Sequence, residues 1–326
     1  MLTVIVPLWN EQESLAELVG QMLAVRDGMS AGEWEILLVD DGSSDGSWQV
    51  IQELSRRHSA VRGIRFRRNF GKAAALAAGF ASAQGERVVT IDADLQDDPR
   101  EIPKLLQKLD EGADLVSGWK RDRHDPWHKR WPSKVFNALL RRVSGLPLHD
   151  FNCGLKAYRH EVLAELDVYG EMHRFLPVLA AARGFRVTEI PVVHHPRVHG
   201  SSKYGWSRIP KGFMDLITVW FLTRYRYRPH HVLGGAGALV GAVGLSLIFL
   251  LAAAWGWSRL GTQSNVVHLH EIVLWCIACF MILVGVQLFG MGMLAEMIVA
   301  NRSGRQLPYS IAERTHCVSS TPTHGT

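Results

Sequence analysis

The chain has 326 residues, a formal net charge of +5 and 47% hydrophobic residues, enough for one large domain or two modest ones. Its cysteines (Cys153, Cys276, Cys279 and Cys317) include two inside an apolar run, which excludes a disulfide-stapled scaffold. Basic residues gather between Lys120 and Arg142 and between Arg197 and Arg228, a pattern suited to phosphates or anionic lipid; no nucleic-acid partner is expected.

Met1-Leu-Thr-Val-Ile-Val-Pro7 begins a strand at once and lacks the basic start of a secretory signal, so the amino-terminal domain is expected in the cytosol. Leu2 to Pro7 predicts a first strand, and Asn10-Glu-Gln-Glu13 opens a helix whose acidic residues favour its positive end. Glu35 to Val39 predicts a second strand, stopped by Asp40-Asp-Gly-Ser-Ser-Asp-Gly46, and a helix follows from Ser47 to His58. Val61 to Phe66 predicts a third strand, Lys72 to Ala83 an alanine-rich helix, and Val88 to Ile91 a fourth strand. A helix is expected after Asp97, then strands over Leu115 to Gly118 and Phe185 to Val193. Between Lys120 and Arg142 the chain is basic, Trp-bearing and partly helical. Alternation of strand and helix predicts an α/β fold, a mostly parallel sheet with helices on both faces.

The last third has another character. Trp206 to Leu222 interleaves apolar residues with Arg208, Lys211 and Asp215 at near-helical spacing, which suits an amphipathic helix at a membrane interface. Val232 to Trp257 and Ile272 to Ala295 carry no charge, and each exceeds the roughly 20 residues that span a bilayer. Arg224, Arg226 and Arg228 precede the first span, Arg302 and Arg305 follow the second, and Arg259 is the only Lys or Arg between them. The positive-inside rule then predicts an integral membrane hairpin with both termini cytoplasmic. Cys276 and Cys279 have the spacing of a redox or zinc pair, but their apolar surroundings make them packing residues. Glu296 is expected to pair with a nearby Arg or to face the interface. The expected division is residues 1–203 for the α/β domain, 204–230 for the juxtamembrane helix, 231–300 for the hairpin and 301–326 for a partly disordered cytoplasmic tail.

Chemistry concentrates where strands end. Val88 to Ile91 drives into Asp92 and Asp94, Pro7-Leu-Trp-Asn-Glu11 follows the first strand, and Asp40-Asp41 follows the second. Open α/β sheets bind ligands at the carboxyl ends of their strands. Asp-x-Asp offers hard oxygen ligands suited to Mg²⁺ or Mn²⁺ shared with substrate phosphates. His173, His194, His195 and His199 suggest zinc, but adjacent His194 and His195 in an extended exit point to opposite sides, which favours packing or loop contacts.

Together, Val4-Ile-Val-Pro-Leu-Trp-Asn-Glu11, Val39-Asp-Asp-Gly-Ser-Ser-Asp45, Arg68-Asn-Phe-Gly-Lys72 and Asp92-Ala-Asp-Leu-Gln96 resemble the ordered motifs of family 2 glycosyltransferases with the GT-A fold. Asp150-Phe-Asn-Cys-Gly154, Pro196-Arg-Val-His-Gly-Ser-Ser-Lys-Tyr204 and the two-span tail extend the match to polyprenyl-phosphate glycosyltransferases, the dolichol-phosphate mannose synthase-like enzymes among them. The resemblance implies metal-dependent, inverting transfer of a sugar from a UDP- or GDP-linked donor to a membrane polyprenyl phosphate. Pro7, Asn10, Glu11, Asp40, Asp41, Lys72 and Asp92 would then bind the donor, with Glu11 and Asp40 on base and ribose. Asp92, Asp94 and Gln96 would hold the metal. Arg121, Arg130 and Ser133 would grip the acceptor phosphate, with Arg197 and Lys203 reaching in, although Lys120 competes with Arg121 for that position. Asp94, Arg130 and Asp150 are the candidate catalytic residues, Asp150 being equally readable as a turn cap, and Lys72 as a solvated helix start. A homo-oligomer is compatible with this reading. Two alternatives stand beside it: a non-catalytic nucleotide-sugar-binding membrane scaffold, and a processive polysaccharide synthase. The latter's Gln-x-x-Arg-Trp motif is missing, since Trp127 precedes Arg130-Trp131.

Overall fold

β1 (Leu2–Leu8) and β2 (Trp34–Asp40) are buried along their whole length, as strands covered on both faces must be. Successive side chains serve opposite faces: Val4, Val6, Ile36 and Leu38 join one core cluster, while Ile5, Leu37 and Val39 join the other. The computed structural model describes residues 1–29, 33–121, 137–142, 144–166, 168, 172–196, 229–260 and 269–302. The expected amphipathic helix from Trp206 to Leu222 and the tail beyond Arg302 lie outside them.

The elements that follow are α1 (Leu15–Gly28), α2 (Ser47–Arg57), β3 (Val61–Arg65), α3 (Lys72–Ser82), β4 (Arg87–Thr90), α4 (Ile102–Asp110) and β5 (Leu115–Lys120). Then come β6 (Lys156–Arg159), α5 (His160–Glu165), α6 (Leu176–Ala182) and β7 (Val187–Val192). Among the described residues seven strands form one sheet, in the order β3-β2-β1-β4-β6-β5-β7. β1 pairs in parallel with β2 and β4, and β2 with β3, so the carboxyl ends of β1, β2 and β4 meet at one edge.

Within the α/β domain two features differ from what the sequence predicts. The first helix begins at Leu15, not at Asn10. Asn10 takes the left-handed conformation (φ 55°), which Asn tolerates, and the chain from Asn10 to Gln12 is tied instead to the loop after β2. The second is β6, an unforeseen strand that lies antiparallel between β4 and β5. Its inward Lys156 disguised it, since a lysine in a four-residue run breaks the apolar signal of a buried strand.

α7 (Pro229–Leu260) and α8 (Leu269–Arg302) pack on each other. Their stretches His230–Trp257 and Ile272–Ile298 are long and apolar enough to cross a membrane, and only 11% of the most apolar window of each is buried. A soluble core helix would bury most of such a surface. Instead Leu239, Phe249, Trp257, Phe280 and Val286 are exposed, as lipid-facing side chains are. The seam is made by glycine: a Cβ on Gly237 would lie 2.5 Å from the Gly285 carbonyl oxygen, and one on Gly285 2.7 Å from the Gly241 nitrogen. Such close backbone approach is how helices associate where lipid removes the hydrophobic drive. Cys276 and Cys279 are free thiols on the outer surface of α8, so they do not pack inside the protein. Glu296 accepts the His230 backbone N–H (3.3 Å), capping the start of α7.

Candidate active site

The loops after β1 and β2 are laced together. The Asn10 N–H donates to Ser43 Oγ (2.9 Å), the Asn10 side-chain oxygen accepts the Ser44 N–H (2.8 Å), and the Glu11 N–H donates to Ser47 Oγ (3.0 Å). The Gly46 N–H donates to Gln12 Oε1 (2.9 Å). Asp45 accepts from the Ser47 hydroxyl and N–H and the Gln12 N–H; burial would raise its carboxyl, but these bonds prevail and hold it below the usual range. Asn10 therefore engages its carboxamide oxygen with the neighbouring loop, while Pro7 and Glu11 stand on the wall of a cleft.

The two adjacent carboxylates ending β2 diverge. Asp40 is 0% exposed, accepts the Ser43 N–H (2.8 Å) and lies 3.5 Å from the Arg65 guanidinium, so it sits beneath the cleft rather than on its wall. Asp41 lines the cleft and accepts the N–H groups of Phe70 (2.7 Å) and Gly71 (2.8 Å), which shapes the turn into α3. Burial pushes the Asp41 carboxyl up; the two N–H bonds oppose this and neighbouring Asp40 adds to it.

From Asp92 to Asp98 the chain alternates: Asp92, Asp94, Gln96 and Asp98 are partly exposed, while Ala93, Leu95 and Asp97 are buried. Asp92 and Asp94 face the cleft, where the Lys72 ammonium lies 2.5 Å from Asp92 Oδ1. Gln96 turns away; its side-chain amide donates to the His195 carbonyl (3.4 Å), so it is not gathered with the two carboxylates. The cleft encloses about 180 Å³ and is also lined by Trp9, Asn69 and Gly71.

β6 brings the turn before it against this loop. A Cβ on Gly154 would lie 2.5 Å from Asp92 Cγ, so only glycine leaves the carboxylate in place. Asp150 is 1% exposed and its Oδ1 accepts the Asn152 N–H (3.0 Å), a side chain closing its own turn. Glu189 of β7 steadies that turn through the His149 N–H (2.7 Å) and His149 Nδ1. Behind it Lys156 is fully buried and donates to the Cys153 carbonyl; burial lowers its pKa, and Asp150 and Asp92 oppose that.

At the end of β5 the neighbours Lys120 and Arg121 part company. The Lys120 ammonium lies 2.8 Å from Asp97 Oδ1 inside the protein, whereas Arg121 is exposed. Arg130, Ser133, Arg197, Lys203 and His199 lie outside the described residues. His194 and His195 pair with Asp97 and Asp98, and no group of three or more His, Cys, Asp or Glu poised for a metal occurs among the described residues. Two cleft carboxylates with hard oxygens fit a divalent ion that takes its other ligands from a diphosphate and water, the usual way Mg²⁺ is held. Lys156 gave no signal in the sequence, and Trp9 and Gly154 stand inside recognisable motifs that assign them no role of their own. The glycine's need arises from a neighbour 62 positions away in the chain (154 − 92).

A model of glycosyl transferase family 2 matches residues 3–167. The dodecaprenyl-phosphate galacturonate synthase of Rhizobium johnstonii is 37% identical over 302 residues, covering 91% of this chain and 87% of that protein. The undecaprenyl-phosphate 4-deoxy-4-formamido-L-arabinose transferase of Edwardsiella ictaluri is 37% identical over 299 residues, covering 91% and 88%. Among solved structures, a glucosyl-3-phosphoglycerate synthase of Mycobacterium tuberculosis in complex with Mn²⁺, UDP and phosphoglyceric acid shares the fold, with a TM-score of 0.53 at 19% identity over 68% of this chain and 78% of that one. Strand order, cleft and sequence thus agree, and the chain belongs to glycosyl transferase family 2.

Proposed function

We propose that this glycosyltransferase moves a sugar from a nucleotide-sugar to a membrane polyprenyl phosphate, with inversion at the sugar carbon. The observation that carries the reading is one chain holding both an Asp92/Asp94 cleft at the sheet's carboxyl edge and two helices long enough to span a bilayer. Relatives named as polyprenyl-phosphate sugar transferases, alike over nine-tenths of the chain, support it.

In this reading Asp92 and Asp94 hold Mg²⁺ or Mn²⁺, with Gln96 available only if its side chain leaves His195. The ion would neutralise charge on the departing nucleoside diphosphate. Glu11 and Asp41 face base and ribose, while Asp40 and Asn10 keep their loops in shape. Lys72 meets the donor phosphates or the sugar. Arg121, Arg130 and Ser133 grip the acceptor phosphate, joined by Arg197 and Lys203. A phosphate monoester has a second pKa of about 6, so the acceptor is largely dianionic and needs positioning more than a general base. Asp150 then serves as a positioning group of the turn that carries Gly154. The catalytic domain and both ends of the hairpin face the cytoplasm, by the distribution of Arg around the spans.

The test is transfer of radiolabel on detergent-solubilised protein with polyprenyl phosphate, Mn²⁺ or Mg²⁺ and a panel of UDP- and GDP-sugars. Label entering the lipid phase with one donor, and none with Asp94→Ala, is the expected result. Nucleotide binding with no transfer from any donor would favour a scaffold.

A further inference from the structure

Asp94 is followed by a residue in an unusual conformation. Leu95 has φ 59°, a left-handed backbone that a branched side chain rarely adopts, and it persists only where neighbours hold it. Asp94 Oδ1 accepts the Gln96 N–H (3.3 Å) across this turn, and further holds come from the chain leaving β7. Asp97 and His194 form an antiparallel bridge, and the His195 N–H donates to the Gln96 carbonyl (2.8 Å). Inside, the Asp97 carboxylate is 0% exposed and forms ion-pair contacts, 3.3 Å from His194 Nδ1 and 2.8 Å from the Lys120 ammonium; the His194 side chain is 7% exposed. Burial would raise the Asp97 carboxyl, but Lys120 and His194 outweigh it and hold it well below the usual range. Outside, His195 Nε2 meets Asp98 Oδ2 (3.2 Å), and Asp98 in turn accepts the Arg100 N–H (2.9 Å) at the start of the next helical turn.

We infer that His194 is a positioning residue for the metal-binding loop: through Asp97 it fastens the Leu95 turn and so fixes where Asp94 points into the cleft. The inference rests on Asp92 and Asp94 holding the ion. His194 touches neither carboxylate; it acts through the peptide units of residues 95–97. The alternation along this ribbon couples the two ends, because a shift that frees the buried Asp97 also turns the cleft-facing Asp94. Lys120 remains to neutralise Asp97 when His194 is removed, so the domain tolerates the change.

The measurement is Mn²⁺ binding, by the fall of free-ion electron paramagnetic resonance signal, on full-length protein in detergent with UDP or with GDP. His194→Ala is expected to weaken Mn²⁺ binding by about tenfold or more, the usual scale for losing a group behind a metal ligand. Its circular dichroism spectrum and its KM for polyprenyl phosphate stay unchanged. His194→Asn, whose amide can donate to Asp97, restores most of the binding. Should His194→Ala fold poorly, Asp97→Asn keeps the size of the side chain and is expected to show the same loss. Wild-type binding in either variant overturns the inference while leaving the metal reading intact. Wild-type protein that binds no Mn²⁺ with either nucleotide overturns the metal reading itself, and this inference with it.

Discussion

The Lys72 ammonium lies 2.5 Å from Asp92 Oδ1, at the first residue of α3 and on the wall of the cleft. One of the two carboxylates proposed as metal ligands is thus already neutralised by the protein. Both side chains are about a third exposed, so solvent weakens the pair to roughly 0.2–1 kcal/mol. Lys72→Met should therefore tighten Mn²⁺ binding in the absence of nucleotide by up to about fivefold. It should also slow transfer, because the donor loses a cation. Calorimetric titration with Mn²⁺ alone checks the first effect; unchanged affinity would show that the pair does not compete with the ion.

Gly154 is the steric counterpart of Asp92. Its absent Cβ leaves room for a carboxylate that would otherwise sit 2.5 Å away. Gly154→Ala must displace Asp92 or the turn, and a misplacement near 1 Å is enough to cost about a hundredfold in rate. The expected outcome is a large loss of turnover with an unaltered circular dichroism spectrum. Turnover within threefold of wild type would mean that Asp92 can move without consequence.

Asp41 accepts two backbone N–H groups, from Phe70 and Gly71. In Asp41→Asn the amide nitrogen cannot accept, so one N–H is left without its partner at about 1–3 kcal/mol. Stability should fall by that amount in chemical denaturation, and the donor KM should rise while the acceptor KM holds. Asp40→Asn differs: its carboxylate lies beneath the cleft, so stability should suffer with little change in donor KM.

Much of this was legible in the sequence, for a physical reason. β1, β2 and β4 are covered on both faces, so their apolar runs stand out, and the acidic residues ending them mark the edge that carries the cleft without knowledge of the fold. Three things stayed hidden. Adjacent Asp40 and Asp41 are the same residue type, and only the direction of each side chain separates the structural one from the cleft one. β6 carries a buried lysine whose partners lie on other segments. The histidines after β7 meet their aspartates across nearly a hundred residues, and no local pattern records such a pairing.

Cys153 gives a pH test. Burial, aided by Asp97, pushes its thiol from an ordinary 9.0 up to about 12. A group raised in the folded state contributes stability that is whole below its unfolded value and is lost as pH rises through the window from 9.0 to about 12. Wild type should lose stability across that window more steeply than Cys153→Ala, and Cys153 should resist alkylation until the protein unfolds. Parallel slopes for the two proteins would contradict this.

The hairpin seam can be tested by a matched pair. Gly285 faces the backbone of α7, whereas a Cβ on Gly290 would meet nothing within 4 Å. Gly285→Leu should lower the melting temperature in detergent or split the two helices, and Gly290→Leu should do neither. Equal effects would remove the seam as the source of association.

The ribbon from Asp92 to Asp98 has a consequence for how such an enzyme can diversify. Its outer edge faces the cleft and its inner edge is committed to the core and to the chain leaving β7. A substitution on either edge is felt on the other, so this stretch is a poor place for selection to try new sugars. Change of preference is left to segments that answer to fewer neighbours. A common reaction centre can then persist while its relatives, named for galacturonate and for a formamido-arabinose, drift apart in what they carry.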